Sequence, residues 1–474
     1  MENYSIHAIL CDGEQKFKGH PYIFERKGDA FEGKPYDTFA ADVRRMAAAL
    51  LGMKLSGRNI ILYGENSYHY MAADIAIMGY VGVSCTLSKE WGLRDLSNAV
   101  ELLDAGAVVY SNAKTDVIAE LRHRNPQLRC MTFDELANFD AQMPLTPRNP
   151  HACSKIIFSS GTTGIPKAVM LSTDNMYANW ESLRLRTPFT PQDRDYLFLP
   201  LSHTYGGICN FLYSLTCGMQ IYLCSDTTKI MEELQMVRPT VFCAVPLIFE
   251  RVYAACTQGN IPPAAALGSC VRYLFSGGAY LKPEIRAFLK GAGLNLLEAY
   301  GLTETSSLIS CEYTDAQEFE SVGTVMENMD VRIDSPDENG VGEILVRGGN
   351  VFGGYYRNES ATAAAFDEEG FFRTGDLGHL VGRKLYLMGR KRRMILRSNG
   401  ENVYPDEIET LLAEFPQIHR AKVYEQDGVI KAALYTEYGF DAADAVEKIN
   451  ENLPKFAKIG AFACITDSVD TRLK

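Results

Sequence analysis

The sequence predicts an α/β protein with a large N-terminal domain of several subdomains, largely parallel sheets, and a small α+β domain at its C-terminal end. Three observations predict it. Strand and helix signals alternate up to about residue 300, the pattern of βαβ units in a parallel sheet. The texture turns β-rich after residue 320. A compact succession of helix, hairpin and helix then closes the chain, whose 474 residues suffice for two or three cores.

In order along the chain, residues 38–55 carry apolar side chains at helical spacing, and Asn59-Ile-Ile-Leu-Tyr63 reads as a strand. Residues 68–78 return to helical spacing. Ile156-Ile-Phe158 reads as a buried strand, and a second apolar run begins at Ala168. Residues 238–246 and 270–276 hold further core strands. Past residue 320, the runs 330–334 and 342–347 flank a Pro-Asp-Glu-Asn-Gly turn and predict a β-hairpin, within a β-rich subdomain over about 320–388. A strand over 384–388 leads into the basic run Arg390-Lys-Arg-Arg393. Pro405, at a first helical turn, opens a helix over 406–415. A hairpin turns about Gln426-Asp-Gly428, and a helix covers 442–452. The boundary therefore falls at 389–393, between an N-terminal domain over 1–388 and a C-terminal domain over 394–474.

Composition narrows the function. Charged residues make up 22% and hydrophobic residues 46%, as in ordinary soluble globular proteins. A net charge of −12 argues against a nucleic-acid-binding face. The start, Met1-Glu-Asn-Tyr-Ser, lacks the basic and apolar segments of a secretory signal. The longest apolar stretch, residues 71–85, is interrupted by Asp74 and is too short for stable membrane insertion. Twelve cysteines are scattered without a Cys-x-x-Cys pair, which speaks against zinc or a disulfide framework and for reduced thiols in a cytoplasm. The eight histidines are equally dispersed. The expected state is a monomer or homodimer.

The most informative stretch is Ser159-Ser-Gly-Thr-Thr-Gly-Ile-Pro-Lys167. Gly161 and Gly164 let the backbone turn tightly and bring its N–H groups to an anion. Ser159, Ser160, Thr162 and Thr163 add hydroxyl donors, and Lys167 adds a fixed positive charge. Such a loop suits a polyphosphate. Its Gly-x-x-Gly-x-x-Lys spacing differs from that of nucleotide-hydrolysing P-loops, which makes an orthophosphate-releasing hydrolase remote. Tyr300-Gly-Leu-Thr-Glu-Thr305, Arg373-Thr-Gly-Asp376 and Gly389-Arg390 follow in that order.

Together these four motifs closely resemble the adenylate-forming superfamily of acyl- and aryl-CoA synthetases, luciferases and peptide-synthetase adenylation domains. The resemblance runs from about Tyr36 to the last residues. The segments Glu65-Asn66-Ser67, Leu199–Tyr205 and Asn399–Pro405 are most similar to bacterial fatty acyl-CoA synthetases. It implies a ligase that uses ATP and Mg²⁺ to convert a carboxylic acid into an acyl-adenylate and passes the acyl group to CoA. A carrier protein's phosphopantetheine is the alternative acceptor, and a nucleotide-binding protein that has lost turnover is the reading from another class.

The resemblance also implies roles. The 159–167 loop would hold the departing phosphates, Glu304 would coordinate Mg²⁺, and Thr303 would contact the α-phosphate. Tyr300, next to Gly301, would pack on adenine, Asp376 would accept the ribose hydroxyls, and Arg390 would approach the same sugar. Ser276, Gly277, Gly278 and Ala279 would pass close to the adenine and the acyl pocket. His203 would orient the carboxylate. The pocket would be lined by Tyr205, Cys209 and Phe211, beside Gly278, an apolar and aromatic wall that suits a fatty or aryl acid. Thr204 stands where amino-acid-activating relatives carry an Asp, so an α-ammonium would be left without a partner.

Arg392 would be the hinge about which a mobile C-terminal lid turns, and Gly400 would line the thioester channel. Arg393 and Arg397 read either as a contact for a CoA phosphate or an acidic carrier helix, or as a solvated face. Asp470-Thr-Arg-Leu-Lys474 matches the family's threonine-rich loop approximately and puts Lys474 at the position of the catalytic lysine, without the usual Gly-Lys or Gln-Lys pairing and basic tail.

Overall fold

Apolar spacing from Tyr36 onward folds as the long helix Tyr36–Gly52, which buries Phe39, Val43, Met46 and Leu50 along one face. The computed structural model describes residues 4–159, 166–313, 321–396, 402–426, 428–455 and 457–466. Directly after the helix, Asn59–Tyr63 forms a strand whose last four residues are buried. It lies inside a six-stranded sheet ordered Arg129–Thr132, Ala107–Tyr110, Asn59–Tyr63, Val83–Leu87, Cys153–Ser159 and Lys167–Ser172. The first five strands pair in parallel. The last pair is an antiparallel hairpin whose register sets Ser159 opposite Lys167, so both ends of the anion loop start from one fixed point.

A second sheet has thirteen strands. Its middle is parallel: Leu296–Tyr300, Tyr273–Ser276, Val241–Ala244, Arg194–Leu197, Gln220–Leu223 and Pro21–Lys27. The carboxyl ends of adjacent parallel strands are where open α/β sheets form their crevices. The segments at 199–205, 276–279 and 300–305 all leave from such ends. Beyond Leu296–Tyr300, the hairpin Met329–Asp334 and Gly342–Gly348 and the pair Phe372–Val381 and Lys384–Arg390 continue the same sheet antiparallel. This is the α/β architecture that the alternation predicts.

The C-terminal residues assemble a three-stranded sheet from the antiparallel pair Ile418–Gln426 and Val429–Thr436 and the parallel strand Ala461–Thr466. With helices Pro405–Leu412 and Ala443–Asn452 they enclose a core of their own, including Ile408, Leu412, Leu434 and Val446. The first of these helices ends at Leu412, short of the expected Phe415. Pro416 disfavours helical backbone at the residue before it.

Two departures concern helix type. Tyr68–Ala76 continues as a π-helical turn, Ile77–Val81, and Tyr205–Leu212 is π-helical throughout. Gly206 and Gly207 make the second one possible. A Cβ on either would stand 2.6 Å from the Pro200 carbonyl oxygen or 2.5 Å from that of Leu201.

Candidate active site

At the end of the hairpin, the Ser159 hydroxyl donates to Glu304 Oε1 at 3.3 Å. Glu304 sits in the short turn Thr303–Thr305 and is buried, while Thr303 is half-buried beside it. The Tyr355 hydroxyl donates to the same oxygen at 3.0 Å, and the Lys167 ammonium lies 4.5 Å from the centre of the Tyr355 ring. Burial and the neighbouring Glu304 push the Tyr355 phenol well above its ordinary range, so it stays a donor. Ser160, Gly161, Thr162, Thr163 and Gly164 lie outside the described residues. Tyr355 escaped sequence reasoning, because one of 25 tyrosines has no spacing signal pointing at a glutamate 51 residues earlier.

The turn bearing Glu304 is built on close backbone approach. Ser306 and Ser307 adopt positive φ of 51° and 106°, and a Cβ on Gly301 would come 1.8 Å from the Ser307 carbonyl oxygen. Gly301 is thus required for packing. The described hydrogen bonds to the Glu304 side chain fall on Oε1, next to a serine hydroxyl, at the mouth of the 160–166 connection. An oxygen set of this kind, with phosphate oxygens added, fits Mg²⁺.

A second cluster forms on the neighbouring strands. Asp376 stands directly opposite Arg390, whose Nε lies 2.7 Å from Asp376 Oδ1. The Tyr300 hydroxyl donates to the other carboxylate oxygen at 2.6 Å. Burial pushes the Asp376 carboxyl above its usual range, while the Arg390 guanidinium and the Tyr300 hydroxyl pull it back. The Tyr300 phenol is raised well above 10 by burial and by Asp376. Tyr300 and Arg390, from two other motifs, therefore meet on the Asp376 carboxylate.

Ser276 ends its strand buried, and its hydroxyl has no hydrogen-bond partner among the described residues. The Gly277 amide donates to the Ala244 carbonyl at 3.4 Å, Gly278 takes φ of 81°, and Gly278 and Ala279 are exposed. Tyr205 packs against Gly277, where an added Cβ would lie 3.4 Å from the ring. Tyr205 and Cys209 share a small apolar pocket with Phe189, Cys243, Phe275 and Cys311.

Phe211 does not line this cavity. It is fully buried against Phe39, because two residues beyond Cys209 the wide helix has turned its face away. His203 and Gly278 also stand outside the lining. His203 is exposed just before the π-helix, and the surrounding protein still lowers its pKa by desolvation. Asn66 brackets the same segment, donating to the Leu199 carbonyl at 2.9 Å and accepting from the Leu201 amide at 3.0 Å. The cavity's other walls come from distant strands and helices, out of reach of any local pattern.

Arg393 is committed to the fold: it pairs with Asp406 and with Glu409 at the start of the next helix. This pairing with the fold's own acids gives Arg393 a structural role beside its two readings from the sequence. Arg392 belongs to the short turn Lys391–Arg393. Arg397, Gly400 and Lys474 lie outside the described residues. Among the described residues there is no cluster of metal-ligating side chains, and no helix is long and apolar enough to cross a membrane.

The sequence profile of the AMP-binding enzyme family matches residues 15–356. Long chain acyl-CoA synthetase 7, peroxisomal, of Arabidopsis thaliana is 30% identical over 482 residues, covering 86% of this chain and 68% of that protein. The long-chain-fatty-acid–CoA ligase FadD15 of Mycobacterium bovis is 30% identical over 473 residues, covering 84% and 76%. Among solved structures, ATP-bound MatB from Rhodopseudomonas palustris superposes with a TM-score of 0.87 at 26% identity, covering 98% of this chain and 95% of that one. MenE from Bacillus subtilis, in complex with ATP and magnesium ion, shares the fold with a TM-score of 0.84 at 24% identity, covering 96% and 95%.

Proposed function

The chain belongs to the AMP-binding enzyme family, and from that premise we propose that it joins a fatty or aryl acid to the thiol of CoA through an acyl-adenylate. One observation carries the reading. A buried carboxylate, Glu304, and a cation, Lys167, stand together where the hairpin opens onto the hydroxyl- and glycine-rich loop.

In the first half-reaction a carboxylate oxygen attacks the α-phosphorus of ATP and pyrophosphate leaves. Positioning and electrostatics carry most of such a step. Lys167 and the loop hold the β- and γ-phosphates, Thr303 approaches the α-phosphate, and Asp376 takes the ribose hydroxyls with Arg390 and Tyr300 fixing its carboxylate. Glu304 would hold Mg²⁺, which neutralises the phosphate charge. To Lys474 we assign the contact with the carboxylate and α-phosphate that the family resemblance implies. His203, steadied through the segment that Asn66 brackets, orients the acid, whose apolar part enters the cavity of Tyr205 and Cys209.

In the second half-reaction the CoA sulfur attacks the acyl carbonyl, AMP leaves and the thiol proton passes to solvent. We assign the change between halves to rotation of residues 394–474 about Arg392. Those residues have their own core, and their junction to the rest uses breakable polar contacts such as the Arg390 amide to Asp406 at 2.9 Å and Tyr404–Asp337 at 3.3 Å.

The test is mass spectrometry of the products formed from ATP, Mg²⁺ and a panel of fatty, aryl and amino acids, with and without CoA. Acyl-CoA with AMP and pyrophosphate is the expected outcome. An acyl-adenylate that persists despite CoA would transfer the acceptor role to a carrier protein. No adenylate from any acid would overturn the reading.

A further inference from the structure

Half-buried Lys167 and buried Glu304 carry opposite charges and contact the same tyrosine, yet among the described residues no ion pair joins them. Tyr355 stands between them. Its ring face takes the ammonium at 4.5 Å, and its hydroxyl takes the carboxylate at 3.0 Å. The ring is nearly fully buried and packs at 4.8 Å against Phe352. Its backbone is tied to the very strand that begins at Lys167: Val169 bridges Tyr355, and the Tyr356 amide donates to the Ala168 carbonyl at 2.8 Å. The Tyr355 amide is held in turn by the Thr362 hydroxyl at 2.9 Å. The backbone is thus fixed, and burial against Phe352 restricts the ring.

Without such a spacer, two opposite charges in a water-poor site would close on each other. The ammonium would then be lost to phosphate and the carboxylate to Mg²⁺. A tyrosine is well suited to separate them, because its negative ring face attracts a cation while its hydroxyl hydrogen attracts an anion. We propose that Tyr355 is a positioning residue that keeps Lys167 and Glu304 apart, so that the nucleotide-free enzyme presents both charges unneutralised. This inference rests on the nucleotide site described under the proposed function.

The test is calorimetric binding of ATP, with a Mg²⁺ titration, to full-length protein and its variants. Tyr355→Leu should weaken ATP binding by about tenfold, the scale of a desolvated cation–π contact. The decisive reading is the cycle with Lys167→Ala. That change should cost about tenfold in the wild-type background but less than about twofold in Tyr355→Leu, whose lysine is already spent on Glu304. Adding Glu304→Gln to Tyr355→Leu should restore the lysine's contribution. Equal penalties for Lys167→Ala in both backgrounds would overturn the proposal. Should Tyr355→Leu fail to fold, Tyr355→Phe decides: it keeps the ring and loses the hydroxyl, so the Mg²⁺ midpoint should rise several-fold, and an unchanged midpoint would overturn the proposal. A wild-type protein that binds no ATP would remove the nucleotide site itself, and this inference with it.

Discussion

Lys155 and Asp74 form an ion pair in which neither side chain has any exposed surface. The ammonium lies 2.9 and 2.7 Å from the two carboxylate oxygens, and the Ser84 hydroxyl donates to one of them at 2.5 Å. Asp74 belongs to helix Tyr68–Ala76, and Lys155 to the strand that ends at Ser159. The charge that merely interrupts an apolar run in the sequence is therefore a clamp between that helix and the strand feeding the anion loop.

Breaking the clamp from one side leaves a buried charge alone. Lys155→Met is expected to cost about 3–5 kcal/mol of unfolding free energy, whereas Asp74→Leu combined with Lys155→Met should cost clearly less. Urea unfolding of both proteins measures the difference. A double variant no better than the single one would show that packing, not charge, holds this junction.

Asp376 offers its oxygens to Tyr300 and Arg390 in the free protein, and by the proposed function to the ribose hydroxyls. Charge-assisted hydrogen bonds are worth about 1.5–3 kcal/mol each, so Asp376→Asn should weaken AMP binding by about 10- to 100-fold with little change in melting temperature. Calorimetry reads this directly. Unaltered affinity would take Asp376 out of the nucleotide site.

Asp195 is wholly buried, accepts a hydrogen bond from Asn210 at 2.8 Å, and acts electrostatically on Tyr205 and Cys243 of the cavity wall. Burial pushes its carboxyl up to about 7. Between its unfolded value near 3.9 and that folded value, the folded chain holds a proton that the unfolded chain has released. This group's contribution to stability is therefore complete at low pH, falls as pH rises through this window, and levels off above it. Asp195→Asn should flatten that fall and stabilise the protein above pH 7, by roughly 1.4 kcal/mol for each pH unit that the window spans. Denaturant midpoints from pH 4 to pH 8 provide the check, and an Asp195→Asn profile parallel to wild type would refute it.

By the proposed function, Lys474 serves the first half-reaction and not the second. Lys474→Ala should slow adenylation by roughly 100-fold or more, the scale of losing a preorganised charge-stabilising donor. Transfer from supplied acyl-adenylate to CoA should stay nearly untouched. Equal losses in pyrophosphate exchange and in thioester formation would reject the assignment.

Much of the architecture is legible in the sequence because it is encoded locally. The spacing after Tyr36, the strand 59–63 and the hairpins at 330–347 and 418–436 follow from periodicity and turn residues acting over a few positions. The anion loop is contiguous, so its hydroxyls, glycines and Lys167 can be read together. The stopping point of the helix after Pro405 needed the restriction imposed by Pro416, and the π-helix at 205–212 leaves no periodic trace.

By itself, then, the sequence determined the α/β class and the four motifs, since each depends on neighbours along the chain. Only the tertiary structure decided which side chains those motifs meet. Tyr355 reaches Glu304 across 51 positions, Lys155 reaches Asp74 across 81, and Ser159 reaches Glu304 across 145. The thiol-lined cavity likewise draws Cys209, Cys243 and Cys311 from three separate elements. Such meetings are set by strand order and register in the folded sheets, and spacing along the chain carries no record of them.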